Sequence, residues 1–232
     1  MAIIQLQNVS KSFRVSRKEI NVIDNASLEI AEGDFIVLLG PSGSGKSTLL
    51  NMISGIDKPT SGQIIIDGED IAKFSQNQLS KWRADKVGIV FQSYNLMPAM
   101  SAIDNVALPL LFKGVKRRQR LAKAMSLLRC VGLKERYNYD TNVMSGGEQQ
   151  RVTIARALIN NPKIIIADEP TGDLDLVNAT EVMEILFSLY KERKTTIIMS
   201  THNPNYAKYA DKVVYIQKGK VSCQEGLKNE KY

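Results

Sequence analysis

Cysteine, histidine and long hydrophobic runs are all scarce in this 232-residue chain. The two cysteines, Cys130 and Cys223, form no C-x-x-C pair, so the sequence predicts neither a metal site nor a disulfide framework and fits a reducing, cytosolic setting. No stretch approaches the ~18 apolar residues that a membrane-spanning helix needs. The first residues, MAIIQLQNVSKSF, lack the basic start, apolar run and cleavage site of a signal peptide, so we expect none.

Charge is plentiful and unevenly placed. The chain has 31 Lys and Arg residues against 24 Asp and Glu residues, and residues 113–136 carry nine of the cations with one acid, Glu135. Such a run is usually a solvated helix face, and the alternative is a patch near anionic lipid headgroups. The run lacks the interleaved aromatics of single-stranded nucleic-acid grooves, so no nucleic-acid partner is expected.

Short apolar runs alternate with helical patterns along the chain, which predicts an α/β fold. Asp67-Gly68 and Lys218-Gly219 interrupt two of the runs and predict β-hairpins. The early part of the chain, to about residue 75, has more hairpin character than a purely parallel sheet would show. The predicted strands lie within FIVLLG (35–40), QIIIDGED (63–70), KVGIVFQ (86–92), KIIIAD (163–168), TTIIMS (195–200) and KVVYIQKGKVS (212–222).

Residues 93–160 contain no clear strand. Apolar residues there recur at helical spacing, namely Leu121, Ala124, Met125, Leu128 and Val131. We therefore predict a single domain over residues 1–232, with an α/β core at 1–92 and 161–232 and a helical insertion at 93–160. The polar tail, residues 226–232, is expected to fray.

A phosphate-binding loop is the strongest motif. Residues 40–47, GPSGSGKS, match G-x-x-x-x-G-K-[ST] in full, and they follow a predicted strand and precede a helical pattern. Glycines let the backbone N–H groups point at phosphate oxygens, Lys46 adds charge at the β and γ phosphates, and Ser47 offers a hydroxyl to Mg²⁺. The predicted nucleotide ligands of this loop are Gly40, Ser42, Gly43, Ser44, Gly45, Lys46, Ser47 and Thr48.

Four polar residues end predicted strands or come just after them, at the ends where α/β folds bind ligands. Asp168 can hold Mg²⁺, and Glu169 can face the γ-phosphate and polarise a water. His202, the one histidine, could orient that water, although a lone histidine is more often structural. Gln92 could reach the Mg²⁺ or the water, and the alternative is a surface glutamine.

A second glycine turn, MSGGEQQR at residues 144–151, precedes another helical pattern. Together the motifs resemble, in order and spacing, those of ABC-type ATPases over nearly the whole chain. The further matches are the glutamine loop at Gln92, Walker B at residues 164–168 with Glu169, the D-loop GDLD at 172–175, and the switch histidine His202. The resemblance implies a P-loop NTPase (RecA-like) core with an antiparallel β subdomain and an inserted α-helical subdomain.

The resemblance also implies why one chain carries two anion turns. In that family Ser145, Gly146 and Gly147 would close over the γ-phosphate held by Lys46 of a second copy, in a head-to-tail homodimer around two ATP. It adds Glu148 and Asp175 to the predicted nucleotide contacts. Phe13 falls where the family often stacks a tyrosine on adenine, and a core-packing role for it remains the alternative. Asp173 is given no role.

Three stretches, at residues 40–64, 91–114 and 167–175, resemble the MacB/LolD/FtsE branch. The ATPases of that branch drive permeases that export or remodel envelope components. The expectation is an ATP-hydrolysing subunit, peripheral on the cytoplasmic face of the membrane, with a separate permease. Tyr94, Leu96, Met97 and Pro98 are predicted to contact that permease, and ordinary packing is the alternative. Rival functions are a soluble ABC ATPase acting on ribosomes or DNA, and a regulator that binds ATP without hydrolysis; intact Glu169 and His202 argue against the latter.

Overall fold

A computed structural model describes residues 2–16 and 18–226, so the tail from residue 227, predicted to fray, lies outside the described residues. The strands are β1 (Ala2–Val15), β2 (Lys18–Ala31), β3 (Phe35–Leu39), β4 (Ser61–Ile66), β5 (Glu69–Asp70), β6 (Val87–Val90), β7 (Ile164–Asp168), β8 (Thr196–Thr201), β9 (Lys212–Gln217) and β10 (Lys220–Glu225). The α-helices are α1 (Lys46–Ile53), α2 (Gln76–Lys86), α3 (Ala102–Phe112), α4 (Arg117–Cys130), α5 (Gly146–Leu158) and α6 (Leu176–Arg193). Short 3₁₀ helices span Ile71–Lys73, Lys134–Arg136, Thr141–Val143 and Pro204–Tyr209.

The larger sheet has the strand order β10-β9-β3-β8-β7-β6, and all neighbours are parallel except β10 and β9. Every residue of β3 and β8 is buried, as expected for parallel strands covered on both faces. Since parallel strands end at the same edge, the residues that follow β3, β6, β7 and β8 gather there. This edge is where the predicted catalytic and phosphate-binding residues lie.

The smaller sheet is antiparallel, in the order β2-β1-β4-β5. Its β4–β5 turn, Asp67-Gly68, has φ of 52° and 82°, and the β9–β10 turn, Lys218-Gly219, has φ of 48° and 78°. Positive φ at both central residues is the geometry of a type I′ hairpin. Both predicted hairpins are therefore confirmed.

Helices cover the segment between the end of β6 at Val90 and the start of β7 at Ile164. Helix α4 buries Ala124 and Leu128, while Met125 is 39% exposed although it shares their spacing. The buried stripe of α4 is thus narrower than the sequence pattern predicts. Among the described residues, none of the helices combines the length and the hydrophobicity that a transmembrane span requires.

The core forms two clusters on opposite faces of the larger sheet. Alternation along β3 directs Phe35 and Val37 to the cluster under helices α3–α6, and Ile36 and Leu38 to the cluster shared with α1 and the smaller sheet. Leu49 of α1 is fully buried in the second cluster. This packing fixes α1, and with it the loop that joins β3 to α1.

Candidate nucleotide site

The phosphate loop is held at its end by the smaller sheet. Gly45, the residue before α1, has a φ of 109°, and a Cβ built there would lie 2.9 Å from the Val22 carbonyl oxygen and from a methyl group of Ile23. Both strain and crowding therefore require glycine at this position. Strand β2 thus braces the loop from which α1 begins.

Lys46 is charged yet only 5% exposed. Its Nζ donates to the carbonyl oxygens of Gly40 at 2.9 Å and Pro41 at 3.2 Å, and lies 3.4 Å from Glu169 Oε1. Ser44 Oγ is buried and has no hydrogen-bond partner among the described residues. An orphaned buried hydroxyl beside a buried cation is suited to an anionic ligand with several acceptor oxygens.

The exposure of the phosphate-loop residues is also suited to an anionic ligand. Ser42, Gly43 and Ser47 are exposed, Gly40 and Thr48 are half-buried, and Gly45 is buried. The loop therefore offers its middle and the Ser47 hydroxyl to a ligand, while its ends are anchored in the fold.

Asp168 and Glu169 leave β7 in different directions. Glu169 has a φ of 44°, in the left-handed region, so the chain turns sharply after the strand. The Glu169 carboxylate consequently lies against two cationic or protonatable groups, Lys46 Nζ and His202 Nδ1, the latter at 3.1 Å. A carboxylate in this position can accept a proton from a water molecule placed beyond it.

Ser200 of β8 holds both acids in place. Its Oγ donates to Asp168 Oδ1 at 2.6 Å and accepts the Glu169 N–H at 2.9 Å, and the residue is fully buried. This serine was not among the residues predicted from the sequence. The available signal was a polar residue near the end of an otherwise apolar strand, two positions before His202.

Gln92 was predicted to end a strand over residues 86–92, whereas β6 ends at Val90 and Gln92 lies two residues past it. Its Nε2 is 3.4 Å from both carboxylate oxygens of Asp173. Asp173, for which no role was predicted from the sequence, therefore accepts a hydrogen bond from the side-chain amide of Gln92. Burial, with the Asp173 charge nearby, raises the pKa of Tyr94. The glutamine loop and the D-loop thus meet at the sheet edge.

The second glycine turn caps α5. Ser145 Oγ accepts the Glu148 N–H at 3.2 Å, and Glu148 Oε2 accepts the Ser145 N–H at 2.9 Å, which is a capping box. Arg136 Nε lies 2.9 Å from Glu148 Oε1. Burial disfavours the charge of Glu148, but the hydrogen bond from Ser145 and the charge of Arg136 outweigh it and hold the pKa of Glu148 below its usual range.

The surroundings of that turn differ from those of the phosphate loop. A Cβ at Gly146 would lie 2.8 Å from the Tyr94 hydroxyl, and one at Gly147 would collide with the Asn178 side chain. Asp175 caps α6, accepting from the Asn178 N–H at 2.9 Å and from Asn178 Nδ2 at 2.6 Å, and these bonds lower the pKa of Asp175. The second turn is therefore built onto the D-loop and α6.

Phe13 is 41% exposed and belongs to neither buried cluster, which does not favour the core-packing alternative. It pairs across the smaller sheet with Ile20, two residues before the Val22 that contacts the phosphate loop. Lys11 Nζ lies 4.8 Å from the centre of its ring. An exposed ring near the loop remains available for stacking, so that role stays a prediction.

A groove of about 900 Å³ opens between β6, α2, α3 and α5. Its apolar lining includes Val87, Ile89, Phe91, Leu108, Pro109 and Phe112, with Arg156 and Asn160 among its polar residues. None of the four predicted permease contacts lines it: Leu96 packs on the helical core, for example, and Met97 is 49% exposed outside it. The groove receives Phe91 and Asn95 from the same loop instead.

Arg156 fixes that loop. Its guanidinium donates to the carbonyl oxygens of Asn95 at 2.6 Å and Tyr94 at 2.9 Å, and burial lowers its pKa. Tyr94 and Asn95 both have left-handed backbone, with φ of 55° and 48°. The bonds to Arg156 hold this unusual turn between Gln92 and the groove.

A phosphate loop after β3, an aspartate at the end of β7 with a glutamate directly after it, and a histidine after β8, all at one edge of a parallel sheet, define a P-loop nucleoside-triphosphatase. Residues 23–172 match the family model described as ABC transporter, and the chain belongs to this family. The predicted family and fold are both confirmed. The chain is the ATP-binding, ATP-hydrolysing component of an ABC transporter.

Individual relatives agree with that assignment. The chain is 43% identical over 229 residues to the uncharacterized ABC transporter ATP-binding protein MJ0796 of Methanocaldococcus jannaschii, covering 97% of each chain. It is 40% identical over 230 residues to the lipoprotein-releasing system ATP-binding protein LolD 1 of Chlorobium chlorochromatii, covering 98% of this chain and 94% of that protein. It is 42% identical over 228 residues to the macrolide export ATP-binding/permease protein MacB of Syntrophobacter fumaroxidans, covering 97% of this chain and 32% of that protein.

Among solved structures, a dimeric post-hydrolysis state of the MJ0796 cassette bound to ADP and Pi superposes with a TM-score of 0.90 at 40% identity. The match covers 96% of this chain and 98% of that chain.

Proposed function

We propose that this chain hydrolyses ATP as a head-to-tail homodimer and drives a separate membrane permease of the MacB or LolD type. One observation carries the dimer: the two glycine turns are built on different parts of the fold. A Cβ added at Gly40 or Gly45 of the phosphate loop would meet Val22, Ile23 or Ile216, whereas one added at Gly146 or Gly147 would meet Tyr94, Leu174 or Asn178. A glycine turn at a helix amino end that does not share the surroundings of its own phosphate loop is suited to a nucleotide held by another copy.

Each composite site then takes its phosphate loop from one copy and Ser145, Gly146 and Gly147 from the other. Two-fold symmetry completes both sites at once. The dimeric MJ0796 structure supports this arrangement, since it contains a cassette with the same fold. In the composite site Glu148 stabilises the second turn through the capping box with Ser145. Asp175 stabilises the adjacent start of α6 as its N-cap.

Mg²⁺ would be held by Ser47, Asp168 and Gln92, whose hydroxyl, carboxylate and amide oxygens are the hard donors that this ion prefers. The ion would neutralise charge on the β and γ phosphates. Ser200 keeps the Asp168 carboxylate turned toward the phosphate-loop edge. Lys46 supplies the second positive charge at the same phosphates.

Glu169 is the proposed general base. Its carboxylate sits between Lys46 and His202, so that it lies beside the phosphate loop and is oriented by the imidazole. It polarises a water for in-line attack on the γ-phosphate, and His202 contacts that phosphate and aligns the water. Phe13 stacks on the adenine ring.

The permease docks in the groove described above, at the cytoplasmic face of the membrane. An apolar groove bounded by the helical segment and the larger sheet fits a helical segment of a partner protein. The names of the two relatives, one for macrolide export and one for lipoprotein release, favour a membrane partner over ribosomes or DNA. Arg156 and the turn at Tyr94 and Asn95 connect this groove to Gln92.

The test is Glu169→Gln. Removal of the base should lower phosphate release by roughly 10²- to 10⁴-fold, the usual effect of a lost general base. Because a negative charge near the γ-phosphate is also removed, the variant should form a stable dimer with Mg-ATP and remain a monomer without it. Size-exclusion chromatography with light scattering, beside a phosphate-release assay, measures both properties.

Glu184→Gln is the matched control, since it removes an exposed acid of α6 and should change neither property. Near-normal turnover in Glu169→Gln would remove Glu169 as the base and point to His202. Lost turnover without an ATP-dependent dimer would contradict the composite site.

A further inference from the structure

The start of α4 presents a cluster of cations that the nucleotide site does not use. The 30 residues 105–134 contain no Asp or Glu and eight Lys or Arg. Lys116, Arg117 and Arg118 are consecutive and exposed, and none of the ion pairs found among the described residues involves them. We call these three residues, with Phe112 and Leu111 before them, the α4 basic patch.

Local helix energetics do not account for this cluster. Lys116 is the N-cap of α4 without a side-chain cap, and no acid occupies the first turn. The amino end of a helix carries partial positive charge, so cations there are unfavourable by tenths of a kcal/mol each. By contrast, the nearby Lys113 is paired with Asp85 at 2.5 Å, and Arg120 donates to the Val115 carbonyl oxygen. The three unpaired cations are therefore free to meet an external anion.

Apolar groups sit directly beside the charges. Phe112 is 81% exposed and Leu111 is 43% exposed, at the carboxyl end of α3. An aromatic ring and an aliphatic side chain next to a row of cations form the pattern that binds the headgroup region of an anionic bilayer. A nucleic-acid groove would instead intersperse its aromatic rings among the cations.

The position of the patch agrees with its chemistry. Phe112 and Lys113 line the rim of the groove, and Lys116 follows three residues later. If the groove receives a permease, as proposed above, its rim faces the membrane that holds the permease. We infer that the α4 basic patch binds anionic phospholipid headgroups and thereby orients the ATPase at the bilayer, a role that rests on the proposed function for its location.

Vesicle binding by the full chain tests this inference without the permease. Wild-type protein should co-sediment with vesicles of one-third phosphatidylglycerol in phosphatidylcholine, should not co-sediment with pure phosphatidylcholine, and should be released by 0.5 M salt. The triple variant Lys116→Gln, Arg117→Gln, Arg118→Gln should bind the anionic vesicles on the order of 100-fold more weakly, since each basic residue near a charged surface contributes roughly fivefold. Glutamine keeps helix propensity close to that of lysine and arginine, so α4 should still form.

The matched control removes the same charge elsewhere: Lys191→Gln, Lys208→Gln, Lys220→Gln. These residues are exposed, and Lys220 lies on β10, at the opposite sheet edge from the β6 that lines the groove. The control should bind anionic vesicles within about twofold of wild type if the patch acts locally. An equal loss in both triple variants would reduce the effect to net charge and overturn the inference.

Two further results would also overturn it: no binding of wild type to anionic vesicles, or binding of a 20-nucleotide RNA that is tighter than vesicle binding and lost in the patch variant. The patch variant should keep wild-type ATP turnover in solution. Failure of turnover or of the ATP-dependent dimer in the wild-type chain would count against the proposed function, whereas failure of vesicle binding alone would count only against the patch.

Discussion

Two glycine turns precede helices in this molecule, and they differ in how far their polar groups are satisfied by hydrogen bonds within the chain. In the phosphate loop, Lys46 is buried and Ser44 Oγ is an orphaned buried hydroxyl. In the turn before α5, Ser145 and Glu148 satisfy one another and Arg136 balances the charge. The first turn has unmet polar groups that a bound phosphate would satisfy, and the second is satisfied before any ligand arrives.

That difference separates binding from closure. A loop with a buried cation can bind a nucleotide within one copy, because the charge of Lys46 is already desolvated and positioned for a phosphate. A self-capped turn offers only its remaining N–H groups and the partial positive charge of the α5 amino end. These suffice to contact a phosphate that is already bound by the phosphate loop of another copy. Variants of each turn should therefore fail at different steps.

The largest effect is expected at the first turn. Lys46→Ala removes the charge at the β and γ phosphates, so ATP affinity should fall by more than about 100-fold and turnover should be lost. The fold should persist, since the polar contacts of Nζ within the described part of the chain are with Gly40, Pro41 and Glu169. Titration with a fluorescent ATP analogue measures the affinity. Lys86→Ala, which removes a lysine paired with Asp67, is the control, and unchanged affinity in Lys46→Ala would contradict the assignment of the loop.

The second turn should fail only at closure. Ser145→Arg places a bulky cation where a second copy approaches, so ATP binding by the monomer should stay within about threefold of wild type. Dimerisation and turnover should fall by at least about 100-fold, because the clasp is lost. The same two assays separate the steps.

The α2 helix supplies a matched control for that variant. Ser75 and Gln78 form a second capping box, so Ser75→Arg breaks the same local structure away from the proposed interface. Ser75→Arg should lower stability without affecting turnover. If Ser145→Arg lost ATP binding as Lys46→Ala does, the turn would belong to its own phosphate site.

Much of this site could be predicted because its motifs have fixed spacings. The match at residues 40–47, the two acids at 168 and 169 and the histidine after TTIIMS place their side chains at one sheet edge once the strands are parallel. The hairpins followed from Asp-Gly and Lys-Gly turns. In each case a short stretch of sequence determines the local geometry.

The features of the site that could not be predicted from the sequence depend on contacts between distant segments. Ser200 lies 32 residues from the Asp168 that it holds, and a serine in an apolar strand has no motif of its own. Arg156 fixes a turn 61 residues away, and its role in shaping the groove could not be anticipated from helical spacing. The groove is lined by four separate elements, which is why the four predicted permease contacts fall beside it rather than in it.

Ser200→Ala tests how the two acids beside the first turn are held in place. The variant leaves the Glu169 N–H without its acceptor and Asp168 without a donor, in a fully buried position. We expect turnover to fall about tenfold and stability to fall by about 1–3 kcal/mol, the cost of unsatisfied buried polar groups. Phosphate release and urea unfolding measure the two effects.

Ser54→Ala is the control for that variant, since Ser54 is 1% exposed and its hydroxyl donates to the Asn51 carbonyl oxygen at the far end of α1. It should lose stability and keep turnover. Equal turnover in both variants would show that Ser200 supports the fold without positioning the acids.

The smallest effect tests whether the second turn is indeed complete in one copy. Glu148→Ala should lower the stability of the nucleotide-free monomer by about 1 kcal/mol, because it removes the reciprocal half of the capping box and the contact with Arg136. Glu148→Gln keeps the hydrogen bond to the Ser145 N–H and loses the charge, so it should cost less than the alanine variant. Urea unfolding without nucleotide measures both, and Gln78→Ala in the α2 capping box is the control.

The pH dependence tests whether the ionised form of Glu148 stabilises the folded state. The pKa of Glu148 in the folded state is below its ordinary value of 4.5, so its ionised form stabilises the fold fully above about pH 4.5. That stabilisation is lost as the pH falls through the lowered pKa, when the carboxylate binds a proton in both states. The stability difference between wild type and Glu148→Gln should therefore shrink as the pH falls below 4.5 and stay constant above pH 6. A difference that did not change with pH would mean that the Ser145 hydrogen bond and the Arg136 contact together do not favour the ionised carboxylate in the folded state, and it would contradict the lowered pKa of Glu148.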